Sequence, residues 1–338
     1  MPVRWTVLIL LLILVLLAGG FVWNFSLPPN TNVSELATHV VNDGEGVKQI
    51  AASLKTAGLI RSAMLFRTLV WLRGSSSALK AGAYELAPNL SVLDAIRRLE
   101  AGGADDVPIL LVEGWTSTQM ATRLAQRDIV DLGAFLAAVA LTDSRLLLPG
   151  KSYGFLAGKP LDQGLEGYLF PDTYRLVPNS TPAAVVEKLL DNFDQRVTDE
   201  LRQGFAAQGL TVHEAVTLAS IVELEVPGTA DRRKVADIFL RRLEAGMQLE
   251  ADSTVNFLTG KGLPAVTNQD LAIASPYNTY QHTGLPPGPI GNPGLDSLHA
   301  VANPEPHGYW YFLSGRDGVT HFAKTFDEHV ANKNRYLR

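Results

Sequence analysis

The feature that most constrains this chain is a run of seventeen uncharged residues, Val7 to Trp23, aliphatic without interruption from Val7 to Leu17. Counted from Trp5, it is long enough to cross a hydrocarbon core that needs about 20 helical residues or slightly fewer. Arg4 precedes it, and Trp5 and Trp23 stand at its ends as interfacial anchors do. The positive end stays inside, which predicts that everything after about residue 26 lies outside the cytoplasm. A cleaved signal peptide is the competing reading. Gly19-Gly20 runs straight into Phe21-Val22-Trp23, a poor cleavage region, so the expectation is an uncleaved anchor. The absence of cysteine excludes lipoprotein processing, disulfides and thiolate metal sites.

The remainder reads as two folded regions behind a linker. Residues 1–25 form the tip and anchor, and 26–38, with Pro28-Pro29, an extended linker. Residues 39–102 alternate strand and helix: an apolar stretch at His39–Asn42, helical spacing at Val47, Ile50, Ala51 and Leu54, and a second helix to Leu72 before Gly74. A strand at Ala81–Leu86 and a helix opened by Ser91 complete the unit, which carries no catalytic set and reads as a binding or spacer module. Residues 107–338 form the larger region, so the fold class is α+β. It starts with a strand, Val107 to Val112, that ends in Glu113-Gly114-Trp115, followed by a helix over Thr116–Leu124. Pro182 opens a long helix whose apolar spacing runs through Val197 to a stop at Gly209. With 29 basic and 34 acidic residues the net charge is −5, which gives no basic face for nucleic acid.

The chemistry concentrates in a few segments. Thr211 and Glu214 make a capping box, and the helix it opens, VHEAVTLASIVELEV, is stopped by Pro227-Gly228. At 100° per residue Val212, Val216, Ala219, Ser220 and Glu223 share a side, so Glu223 lies on a largely apolar face. Burial there favours a protonated carboxyl, as a general acid requires. An ion pair to an arginine of the next helix, which carries Arg232, Arg233, Arg241 and Arg242, is an equal reading. Glu225 points the other way, so the two cannot straddle one bond. Leu165–Tyr174 (LEGYLFPDTY) mixes aromatics with Glu166 and Asp172, as clefts and tight junctions do. Tyr277, Asn278, Thr279 and Tyr280 precede the Pro/Gly-rich Gly284–Ile290, a combination that suits sugar hydroxyls and C–H faces. A rigid structural loop is the alternative. The histidines show no metal-ligand spacing, and no P-loop, nucleophile elbow or dinucleotide fingerprint occurs, so neither metal nor cofactor is expected.

LEGYLFPDTY, Ala219–Glu223 (ASIVE), YNTY with Gly284–Ile290 (GLPPGPI), and an end holding Tyr309–Phe312 and His321-Phe322 resemble, in this order, the endolytic murein transglycosylases, the MltG or YceG-like family. The resemblance implies one transmembrane helix in the cell inner membrane, a LysM-like module over 39–102 and a mixed α/β catalytic domain over 107–338. It also implies endolytic cleavage of the MurNAc–GlcNAc bond to 1,6-anhydro ends, which terminates strand elongation near the membrane. The family's catalytic glutamate falls on Glu223. Ser220, Glu225, Asp252, Tyr277, Asn278, Thr279, Tyr280 and Glu166 are expected to contact substrate. Partners implied are peptidoglycan strands, the membrane and peptidoglycan synthases. Val226, Glu250 and Ser253 depart from the family pattern, while Asp252 and Thr254 keep it. A hydrolytic muramidase with Asp252 as second acid, and a non-catalytic peptidoglycan-binding scaffold, are the alternatives.

Overall fold

The computed structural model describes residues 37–42, 44–86, 90–102, 106–261 and 266–337. The apolar run at 7–23 and most of the linker lie outside the described residues. Among those described there are fourteen α-helices and three two-stranded sheets, a mixed α/β fold. No single helix among them is long and apolar enough to cross a membrane. The chain divides into two units, one of residues up to Val107 with Arg175–Pro178, the other of Pro108–Tyr174 with Asn179–Arg338.

In the first unit β1 (Ala37–Val41) pairs antiparallel with β2 (Gly82–Leu86), His39 opposite Tyr84. Between them run α1 (Val47–Thr56) and α2 (Ala63–Leu72), which pack together; α3 (Val92–Ala101) follows. Two N-caps are local chemistry. Leu65 N–H donates to Ser62 Oγ at 3.2 Å and Asp94 N–H to Ser91 Oγ at 3.1 Å. The buried faces meet in one core that includes Ile50, Leu54, Phe66, Ile96 and Leu99. Met64, Trp71 and Leu72 of α2 stay exposed. Val47, Lys48, Met64, Arg67 and Trp71 border a groove of about 490 Å³.

β3 (Val107–Leu110) pairs with β4 (Thr173–Leu176). The second unit is mainly helical. It contains α4 (Ser117–Ala125), α5 (Leu132–Val139), α6 (Ser144–Leu147), α7 (Pro182–Arg196), α8 (Asp199–Ala207) and α9 (Val212–Glu225). Next come α10 (Thr229–Glu244), α11 (Asp252–Thr259), α12 (Asn268–Leu271) and α13 (Leu295–Ala302). A hairpin of β5 (Tyr311–Ser314) and β6 (Thr320–Ala323), then α14 (Phe326–Tyr336), end the described chain. The hub is α13, packed on α8, α9 and α10.

One expectation needs correction, and two are sharpened. The long helix after Pro182 is two helices, because the Thr198 hydroxyl accepts from Leu201 N–H at 3.3 Å and starts α8 with Asp199 and Glu200 in its first turn. Its apolar spacing carries across the break, which hid the cap. α9 has no polar face through its middle: every residue from Ala215 to Val222 is buried, as in a core helix. Of the two readings of LEGYLFPDTY, its aromatics take the tightly packed one. Tyr168, Phe170 and Tyr174 are buried, and Tyr168 sits among Phe155, Phe193 and His213.

Candidate active site

The capping box at the start of α9 is formed as its sequence requires. Thr211 Oγ1 accepts from Glu214 N–H at 3.2 Å, and the Glu214 carboxylate accepts from Thr211 N–H at 2.8 Å. At the other end Val226, the residue before Pro227, is extended and stops the helix after Glu225. Glu223 therefore lies in the last turn, its side chain 5 % exposed.

Three donors hold its carboxylate. Arg232 of α10 gives one guanidinium N–H to Oε1 at 2.5 Å and another to the Val226 carbonyl at 3.2 Å. Oε2 accepts from Gly294 N–H at 3.0 Å and from Ser297 Oγ at 2.8 Å. Gly294 is the N-cap of α13 and has no side chain to cap with. The Glu223 carboxylate takes that place, at the positive end of the helix where an anion is stabilised. The arginine pairing weighed from the sequence is thus present, and it stands in the same cluster as the helix start.

A backbone frame surrounds this carboxylate. Segment 290–294 runs beside one turn of α9: Ile290 N–H donates to Ser220 Oγ at 3.0 Å, and Gly294 N–H reaches Glu223 one turn later. Midway, Asn292 exchanges backbone bonds with the Glu113-Gly114-Trp115 turn, Gly114 N–H to Asn292 O at 2.8 Å and Asn292 N–H to Trp115 O at 2.9 Å. The approach is close enough to demand glycine. A Cβ on Gly291 would stand 2.5 Å from the Gly114 carbonyl oxygen, and one on Gly167, at φ +89°, would collide with Pro289.

Glu166 belongs to this frame. Its carboxyl accepts from Ser117 N–H at 3.0 Å and from the Asn292 amide at 2.8 Å; Asn292 in turn accepts from Leu169 N–H at 2.9 Å. Burial pushes its pKa up to about 7, opposed by these hydrogen bonds. Glu113 was not singled out from the sequence, yet it stands against the site. Its carboxyl occupies the space where Gly294 would carry a Cβ. Its pKa is raised, first by burial and then by the charge of Glu223, with Asp296 adding and Arg232 opposing. The only local hint is a glutamate at a strand end, before a glycine and a tryptophan.

Apart from Ser220, which belongs to the frame, the other expected residues lie around and beyond segment 251–257. Glu225 accepts from Ser253 N–H at 3.1 Å, and burial, with Asp252 adding, raises its pKa against that bond. Tyr280 donates to Asp252 at 2.6 Å, and Tyr277 donates to Gln163 at 3.3 Å beside the Phe257 ring. Tyr277 and Tyr280 keep part of their surface open. Ser220, Asn278 and Thr279 do not: they are at most 1 % exposed. The Ser220 hydroxyl donates to Thr217 O and accepts from Ile290. The Asn278 amide donates to Leu271 O and Ile273 O, and Thr279 Oγ1 accepts from Ala251 N–H. With so little free surface, these three side chains fasten loops. Among the described residues no group of three or more His, Asp or Glu is placed to hold a metal ion.

A buried carboxylate at a helix start, beside the turn that carries Glu113 and framed by Gly- and Pro-rich loops, is the candidate acid–base site. The profile of the YceG-like family matches residues 39–335, and the chain belongs to that family. It is 31 % identical over 329 residues to the endolytic murein transglycosylase of Bacillus subtilis, covering 95 % of this chain and 91 % of that one. It is 30 % identical to the endolytic murein transglycosylase of Streptococcus pneumoniae strain D39, over 96 % of this chain and 63 % of the longer relative. The crystal structure of a yceG-like protein of Listeria monocytogenes superposes with a TM-score of 0.60 at 30 % identity, over 88 % of this chain and 99 % of that one.

Proposed function

We propose that this chain is an endolytic lytic transglycosylase of peptidoglycan, cleaving between N-acetylmuramic acid and N-acetylglucosamine with Glu223 as its acid–base residue. The observation that carries the reading is the place of Glu223: an enclosed carboxylate at the start of α13, in a family whose curated relatives bear that activity in their names. Protonated Glu223 gives its proton to the glycosidic oxygen as the bond to muramic C1 breaks. The C6 hydroxyl of the same sugar closes on C1, and its proton returns to Glu223. The strand ends in a 1,6-anhydro ring, no water is consumed, and the carboxyl is left as it began. One nucleophile already tethered to the substrate makes the attack intramolecular. Gly294 N–H and Ser297 Oγ fix the carboxylate between the two proton transfers.

The region 39–102 fits a LysM-like module, supported by its β1-α1-α2-β2 order and antiparallel strand pair. The apolar run at 7–23 fits an inner-membrane anchor that keeps the site near nascent strands and near the peptidoglycan synthases, so that cleavage ends elongation there. Glu223→Gln tests the chemistry. It keeps the side-chain size but removes the acid, so turnover falls by at least about 10²–10⁴-fold while the fold persists. Undiminished turnover would remove Glu223 from the reaction.

A further inference from the structure

We propose that Glu113 is a second working carboxyl of this site, sharing one proton with Glu223 across Gly294. The inference rests on the role proposed for Glu223 and adds where its proton is kept. Gly294 has an ordinary φ of −77°, so backbone conformation does not call for glycine there. What excludes a side chain is the Glu113 carboxyl, which fills the position of a Cβ. On the adjacent atom of the same residue, Gly294 N–H donates to Glu223. The turn carrying Glu113 also runs beside Glu223: a Cβ on Gly114 would come 3.4 Å from Glu223 Cγ. The two carboxyls are thus held against one residue by rigid elements, the turn after β3 on one side and the end of α9 on the other.

Two carboxyls so placed resist ionising together, because the charge on one disfavours the charge on the other. The charged neighbours of Glu113 are Glu223 on α9, Arg232 on α10 and Asp296 on α13. Arg232 lies on Oε1 of Glu223, and Asp296 is tied up by the Thr229 hydroxyl at 2.6 Å. Around Glu113 one guanidinium is set against two further carboxyl groups, so retaining a proton on the Glu113–Glu223 pair relieves the excess charge. The raised pKa of Glu113 agrees with this arrangement. In the reaction the pair starts with one proton, gives it to the leaving oxygen, and regains one from the C6 hydroxyl. Glu113 works through Glu223 as a positioning residue for that proton.

The test is the pH profile of kcat for the full chain acting on purified glycan strands, for Glu113→Gln, Glu113→Asp and Gly294→Ala. Glu113→Gln removes one of the two coupled negative charges, so the pair no longer favours keeping a proton at high pH. The alkaline limb moves down by about one pH unit, a roughly tenfold loss on that side, with activity largely restored on the acid side. Gly294→Ala keeps the N–H and pushes the Glu113 carboxyl away, moving the limb the same way by less. Glu113→Asp returns part of the parent limb. An unmoved limb, or an equal fall at every pH, overturns the proposal; thermal melting of each variant identifies a loss due to misfolding. Glu223→Gln is assayed beside them. Activity surviving in that variant would sink the underlying reading, whereas an inactive Glu223→Gln with an unmoved Glu113→Gln limb defeats only the shared proton.

Discussion

Both units carry solvated ion pairs, but among the described residues the second also encloses acidic side chains. In the first, the paired acids lie toward water, as in Arg73–Glu100 and Arg97–Asp94, and the groove beside Trp71 is lined mainly by apolar and cationic side chains. In the second, Glu166, Glu223 and Glu225 are drawn into the interior, each met by backbone N–H groups from distant segments. Solvated ion pairs contribute little to stability and do no chemistry. Enclosed carboxylates are costly unless they are bonded, and they collect where proton transfer needs them. The contrast agrees with the proposal that bond cleavage belongs to the second unit and recognition or placement to the first.

The largest expected effect comes from breaking the enclosed pair. Arg232→Met leaves the Glu223 carboxylate without its cation and should cost about 3–5 kcal/mol of stability. Adding Glu223→Gln removes the stranded charge, so the double variant should recover most of that loss. Purely additive losses in denaturant unfolding would show that the pair is not coupled as the geometry requires.

An intermediate effect belongs to Glu166. Its folded pKa, about 7, lies above the unfolded value of about 4.5. The folded state therefore binds the extra proton between those values, and stability falls as pH rises from about 4.5 through 7. Glu166→Gln cannot ionise, so its melting temperature should gain on the parent by several degrees between pH 5 and 8, whatever the offset at pH 5. A gap that stays constant over that range would contradict the enclosed carboxyl.

The smallest effect on cleavage is expected from Trp71→Ala. The side chain is exposed, so stability should change by no more than about 0.5 kcal/mol and cleavage of short soluble strands should be unaltered. Retention on insoluble peptidoglycan is what should fall. A Trp71 variant that binds fully but cleaves soluble strands poorly would reverse the division of labour between the units.

Much of the fold was legible because its signals are local. The Thr211–Glu214 box, the serine cap at 91, and the stop at Pro227 each act within four residues or so. Glu223 was legible for a similar reason, an acid on an apolar helix face. Its partners were not. Gly294 and Ser297 come 71 and 74 residues later, and nothing near them announces a carboxylate from another helix. Glu113 was hidden because a glutamate at a strand end looks like any solvated turn residue until the fold presses it on Gly294. For Asn278 and Thr279 the sequence left two readings open, since polar side chains that tie loops together have the same composition as ones that bind sugars; in the fold both side chains tie loops.

A second carboxyl at the site sharpens the question of water, because two carboxyls also suit a hydrolase. Mass spectrometry of the new glycan ends after cleavage in ¹⁸O-labelled water answers it. Intramolecular attack governed by Glu223 predicts 1,6-anhydro-muramic ends without label. Reducing muramic ends that carry the label would contradict it and establish hydrolysis.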